Sequence, residues 1–307
     1  MKKLLLVVVL AIVPFSLYAQ AFYADTNLLD KRSARQQNHK KTPNSPYLAV
    51  YKKGAKKLLL LGANHQKKDT HPFMQYAFDT FHPQIALVEF EPGREWEPCL
   101  AGEATYTAAL AAKNNVPLVR ADADLDWQWE FAHQHGFSYE DWQMMWIIRN
   151  AYYGAREGYK TNAAWEIQAY ARREHDPAKG SLFTEETLLQ YFQQYYGQDF
   201  NTTDFVKLFQ DLQNIYPTQE ISQTPFYRLS DITGRARSAF MIQNIAEALN
   251  QYDIVFIEMG SGHHVDMLRA LKKMLGKPRY ITAEQIPPQT LWEQCSLEGL
   301  EEKILIN

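Results

Sequence analysis

Two short apolar runs in this chain each end in a glycine followed three residues later by a histidine. Leu58-Leu59-Leu60-Leu61 runs into Gly62-Ala63-Asn64-His65, and Val255 to Met259 runs into Gly260-Ser261-Gly262-His263. A strand that exits through Gly-x-x-His near both ends of a folded region is a way to bring two distant imidazoles to one site. The glycine supplies the backbone freedom for a tight exit. A third run, Leu87-Val88-Glu89-Phe90-Glu91-Pro92-Gly93-Arg94, places Glu89 and Glu91 on one face at a strand end, where neither suits a buried sheet without a partner. One carboxylate and two imidazoles form a ligand set for a divalent ion of the zinc or manganese type, with a position left for water. His65, Glu89 and His263 are therefore the candidate metal ligands. Such an ion lowers the pKa of its water and polarises a carbonyl. Without one, a histidine or Glu89 serves as base for a water attacking an ester or amide.

Arg94 and Arg237 are the cations expected beside these groups, to hold a substrate carboxylate or an oxyanion. The plainer alternatives are a Glu89–Arg94 ion pair at the sheet edge and surface roles for both arginines. Asp122, Asp124 and Glu258 sit at or just beyond strand ends and are candidates to ligate or to fix an imidazole tautomer. His264 is an extra ligand or, in a haem protein, an axial one together with His263. His133-x-His135 lacks the spacing of a helical metal pair. The chain contains no His-Glu-x-x-His, no Gly-x-Ser-x-Gly elbow, no Walker loop and no dinucleotide fingerprint.

The elements that must position these residues alternate. Apolar runs at 47–51 and 57–61 precede a helical stretch through Phe73, Ala77 and Phe78, a buried strand at 85–90, a helix over about 103–114 and a strand at 116–119. From about 125 to 230 the pattern becomes long helical stretches that hold five of the seven tryptophans. These rings either pack the insertion or line a substrate groove. Sheet signals then return, with a helix over about 234–250, a strand at 254–258, a helix over about 264–275 and a strand near 279–282. The expected fold is α/β: a mixed, mostly parallel sheet flanked by helices, with a large helical insertion or cap over about 125–230. Residues 47–307 are expected to form one discontinuous α/β domain.

Residues 1–21 have the layout of a Sec-type signal peptide, with Lys2 and Lys3, the apolar core Leu4 to Val13 and the exit Ala19-Gln20-Ala21. The mature chain is expected to start near Phe22, to be periplasmic or secreted, and to have no membrane span once the leader is cleaved. Its formal charge moves from −3 to −5 as the two lysines leave, which argues against a nucleic-acid partner. Residues 22–46 are expected to be a flexible lead-in, polar and without apolar periodicity over 29–46. Cys99 and Cys295 are the only cysteines, and either pair or stay as thiols.

In order and spacing, these motifs resemble the TraB/GumN/Tiki family, whose wider superfamily holds erythromycin-esterase-like and ChaN-like haem-binding proteins. The resemblance rests on Gly62 and His65, on Val88, Glu89, Glu91 and Arg94, on Arg237, Met241 and Ile245, and on Gly260, Gly262 and His263. It implies an α/β fold with both histidines and the glutamate at one site. It also implies metal-dependent peptide-bond cleavage as in the Tiki branch or ester hydrolysis as in the erythromycin-esterase branch. The expectation is an exported hydrolase, metal-assisted, acting on a peptide or a small-molecule ester or amide, with His65, Glu89, His263, Arg94 and Arg237 at the site. The alternatives are a ChaN-like haem- or iron-binding protein using His263 and His264, and a non-catalytic binding module.

Overall fold

The computed structural model describes residues 21–30, 40–63, 69–89, 102–173, 175–213 and 218–287. The strands β1 (Tyr47–Lys53), β2 (Lys56–Ala63), β3 (Ile85–Val88), β4 (Leu118–Arg120), β5 (Ile254–Gly260) and β6 (Arg279–Ile281) form one sheet in the order β4-β3-β5-β2-β1-β6. β4, β3, β5 and β2 are mutually parallel, while β1 pairs antiparallel with both β2 and β6. The fold is α/β with a mixed, mostly parallel sheet, as the alternation of signals predicts.

The leucine run shows why. Leu58 and Leu60 enter a core cluster on one face of the sheet, and Leu59 and Leu61 enter a second cluster on the other. A strand in the middle of a parallel sheet is covered on both sides, so it reads as continuously apolar. Each of these fully buried leucines contributes about 1.5–3 kcal/mol of burial. One face is covered by α1 (His71–Phe81) and α2 (Glu103–Lys113), through Phe73, Phe78, Tyr106 and Leu110. The other is covered by α9 (Pro225–Gln251) and α10 (Ser261–Leu275), through Ile242, Ile245, Met267 and Leu271.

Between β4 and α9 lies the helical insertion: α3 (Leu125–Gln134), α4 (Tyr139–Arg156), α5 (Ala163–Arg173), α6 (Glu185–Tyr196), α7 (Phe205–Gln213) and the short α8 (Gln219–Gln223). Their starts follow from capping. Asp124, Ser138 and Thr184 each accept a backbone N–H of the first turn they cap, which satisfies donors the helix leaves open. The insertion has its own core of Trp129, Trp142, Ile147, Tyr170, Phe192, Phe200 and Phe205.

Two boundaries differ from the expected ones. The helix expected over about 234–250 begins nine residues earlier, at Pro225, with Thr224 capping it and proline pre-set in the first turn. Its N-terminal half, through Phe226 and Leu229, belongs to the insertion's core, and its C-terminal half belongs to the sheet's. The lead-in expected to be flexible is packed in part: the Phe22 ring is buried in the sheet core, and its backbone exchanges two hydrogen bonds with the Asn250 amide. Asp30 accepts from Arg269 and donates its N–H to the Asp266 carbonyl. The apolar Phe22, Ala24, Leu28 and Leu29 precede the polar stretch and account for this docking. Residues 31–39 lie outside the described residues. No helix among the described residues is long and apolar enough to cross a membrane.

Candidate functional site

β3 passes the chain to β4 through α2 on one face of the sheet, while β5 passes it to β6 through α10 on the other. The carboxyl ends of β3 and β5 are neighbours whose outgoing connections diverge. That is the crevice where open α/β sheets bind ligands.

Glu89 follows the last residue of β3 and is buried. Its Oε2 accepts the N–H of Gly260, at the end of β5, at 2.5 Å. Its Oε1 accepts Arg237 Nη2 at 2.8 Å. The same guanidinium reaches Asp122, just past β4, with Nε 2.8 Å from Oδ2 and 3.1 Å from Oδ1 and Nη2 2.5 Å from Oδ2. Arg237 thus ties the ends of β3 and β4 to α9, with a planar fork that an ammonium could not reproduce. Burial alone would pull its pKa down, but Glu89 and Asp122 outweigh burial and hold it above the ordinary value. The 121–124 loop is fixed from several directions: Asn244 Nδ2 donates to the Ala121 carbonyl, Gln128 Nε2 to the Ala123 carbonyl, and the Ala123 N–H to Asp122 Oδ1.

His263 stands in the first turn of α10 rather than in a loop before it, since the helix starts at Ser261. Its Nδ1 is 2.8 Å from Ser238 Oγ, on α9, and its Nε2 is 3.5 Å from Glu89 Oε1. Ser238 Oγ lies 3.0 Å from the Gly234 carbonyl and 3.4 Å from Asp266 Oδ2. A hydroxyl has one proton to give. If Ser238 donates it to Gly234 or Asp266, Ser238 accepts from Nδ1–H, and Nε2, on the Glu89 side, carries the lone pair. His263 retains 9% exposure.

His264, the neighbouring residue, points elsewhere. It is fully buried, with Nδ1 2.7 Å from the Tyr47 hydroxyl and Nε2 2.8 Å from the Tyr51 hydroxyl. Burial first, and then Lys272, lowers its pKa to about 3. Both ring nitrogens are engaged, and in this packing His264 holds β1 to α10. Gly62 has a different role from the one expected of a strand exit. It lies within β2 directly across from Tyr47, and a Cβ there would fall 2.5 Å from the tyrosine's Cζ. Its value is the space it leaves for a ring.

The other candidates separate. Asp124 caps α3, accepting from Trp127 N at 2.7 Å, and is not at the site. Glu258 is buried, and strand alternation puts it on the face of Phe256, away from the face of Ile257 and Met259 on which α9 and α10 pack. His65, Glu91, Arg94, Cys99 and Cys295 lie outside the described residues. Of the expected site, Glu89, Arg237 and His263 come together, and Asp122 joins them as the second carboxylate on Arg237. Ser238 and Asp266 were missed by the motifs. The signal available for them is spacing: Ser238 adjoins Arg237, and Asp266 follows His263 by three residues on one helical face.

Among the described residues no group of three His, Cys, Asp or Glu side chains is arranged to hold a metal ion. The donor set explains this. Both oxygens of Glu89 are taken, one by a cation and one by a backbone N–H, and His263 Nδ1 is taken by Ser238. Of the three expected ligands, Glu89 and His263 are thus already held by protein groups, and His65 lies outside the described residues.

A scan against protein-family models, a search of curated proteins and a search of solved structures each return no match.

Proposed function

We propose that the crevice between the carboxyl ends of β3 and β5 is a hydrolytic site for an ester or amide, with His263 as general base beside Glu89, which Arg237 holds in place. The single observation that carries this reading is the placement of His263. One ring nitrogen is held 2.8 Å from Ser238 Oγ, which fixes the ring, and the other faces the buried carboxylate end of Glu89 at a crevice suited to ligands.

In this reading a water between His263 Nε2 and the substrate carbonyl gives its proton to Nε2 as its oxygen attacks. The imidazolium that forms lies 3.5 Å from Glu89 Oε1, so its charge arises next to a carboxylate. The proton then goes to the leaving oxygen or nitrogen as the carbon–heteroatom bond breaks. Ser238 and Asp266 act through His263 by holding its orientation. The resemblance to the TraB/GumN/Tiki family, in which hydrolysis of esters and amides recurs, agrees with this chemistry. The export expected from the N-terminal residues would put the substrate outside the cytoplasm.

The test is turnover of a p-nitrophenyl ester and of a fluorogenic peptide panel by the full chain, by His263→Ala and by Glu89→Gln, with circular dichroism on all three. Loss of turnover by about 10²–10⁴-fold in His263→Ala with an unchanged spectrum is the expected result. Equal turnover in His263→Ala and the parent overturns the assignment, and an inert parent across esters and peptides leaves the binding-module alternative in its place.

A further inference from the structure

A cavity of about 960 Å³ lies in the helical insertion, between the C-terminal half of α4 and α5. Its walls follow helical spacing: Tyr153 and Gly154 from α4 with Glu157 just past its end, then Trp165, Glu166, Arg172 and Arg173 from α5. The segment between the two helices adds Tyr159, Lys160 and Thr161.

Three features of this lining point to a ligand. Tyr153, Tyr159 and Trp165 are 51%, 67% and 56% exposed, an unusual concentration of aromatic surface around one hollow. Glu166 is buried in the wall, and burial first, opposed by Arg173, lifts its pKa to about 7, so at neutral pH a share of it holds a proton. Lys160, Arg172 and Arg173 set three cations against Glu157. The Arg172 guanidinium lies 5.8 Å from the Trp165 ring centre, beside an aromatic face and ready for an anion.

Rings for stacking, an acid donor for hydroxyls, and guanidinium groups for negative charge match a pyranose chain that carries carboxylates. An extended peptide fits less well. The walls are helices whose backbone groups bond internally, so no strand edge is offered for pairing. Arg173 also lines a second hollow of about 460 Å³ with Arg120, Trp142, Asp126, Asp176 and Lys179. We propose that the cavity between α4 and α5 is a binding site for an acidic oligosaccharide, with Trp165 and the flanking tyrosines as stacking platform and Arg172 and Arg173 as carboxylate anchors.

The site is separate from the catalytic reading and is tested separately. Calorimetric titration of the full chain with a galacturonate tetramer is compared with the same tetramer methyl-esterified and with a tetraglutamate peptide. Binding of the acid tetramer with a Kd below about 1 mM is expected, weakened about tenfold or more by esterification, by Trp165→Ala or by Arg173→Ala. Trp165 is exposed, so its removal leaves the fold in place, and Glu89→Gln is expected to bind the tetramer as the parent does. Absence of heat with the acid tetramer, equal affinity for the ester, unchanged affinity in Trp165→Ala, or equal affinity for the glutamate peptide would each overturn the proposal.

Discussion

Tyr47 lies directly opposite Gly62 across the β1–β2 pair, and a methyl group on that glycine would sit 2.5 Å from Cζ of the ring. The glycine of the first Gly-x-x-His motif is therefore a packing residue. By making room for Tyr47 it lets the tyrosine hydroxyl reach His264 on α10, one residue from the proposed base.

Gly62→Ala is expected to destabilise the protein by about 1–3 kcal/mol, the usual cost of overpacking a filled core. Urea denaturation measures it. Pairing the substitution with Tyr47→Ala removes the clash, so the two changes together should cost clearly less than the sum of the single ones. Strict additivity would mean the contact between them is not the cause.

Arg237→Met leaves Glu89 and Asp122 buried without their shared cation, and a loss of about 3–5 kcal/mol is expected. Arg237→Lys keeps the charge but presents a single ammonium where a fork now spans two carboxylates, so it should recover part of the loss only. The comparison of unfolding midpoints decides this, and a lysine variant as stable as the parent would show that charge alone suffices.

His264 gives the fold an acid-sensitive point. Its pKa falls from 6.5 to about 3 in the folded state, while the unfolded chain takes up the proton near the ordinary value. Its contribution is therefore complete above about pH 6.5 and drains away as pH falls toward 3, by roughly 3 kcal/mol at about pH 4. His264→Gln cannot titrate. The stability advantage of the parent over this variant should shrink steadily from about pH 7.5 to pH 4, and a gap independent of pH would refute the assignment.

Glu166 behaves in the opposite sense. Its folded pKa is raised from 4.5 to about 7, so the stability associated with the neutral acid is full below 4.5 and is lost as pH rises through 7. The effect is on the order of 1–3 kcal/mol. Glu166→Gln should match the parent near pH 4.5 and melt higher than it at pH 8. Thermal scans at both values provide the check, and identical melting at pH 8 would count against a buried, proton-holding carboxyl.

Most of the fold was legible because burial writes a period into the sequence. The leucine run of β2 announced a strand covered on both faces, and the change to helical spacing after Leu125 announced the insertion. Glu89 and His263 were legible as titratable residues at or just past the ends of apolar runs, and Arg237 as a cation on the helix that leads into β5. What escaped were meanings set by a partner far away in sequence. Gly62 needs Tyr47 across a strand pair, His264 needs two tyrosines from β1, and Ser238 gains a role only when α9 lies beside α10. The early start of α9 was hidden because its two halves face different cores, so no single apolar stripe runs its length.

That helix carries a consequence for how the molecule comes apart. At 27 residues α9 is about 40 Å long, rooted at one end among Phe226 and Leu229 and at the other among Ile242, Ile245 and Leu249. Loosening either core strips packing from half of the same rod and so weakens its hold on the other. Insertion and sheet should therefore melt together, in one cooperative calorimetric peak whose van't Hoff and measured enthalpies agree, although each has a hydrophobic centre of its own.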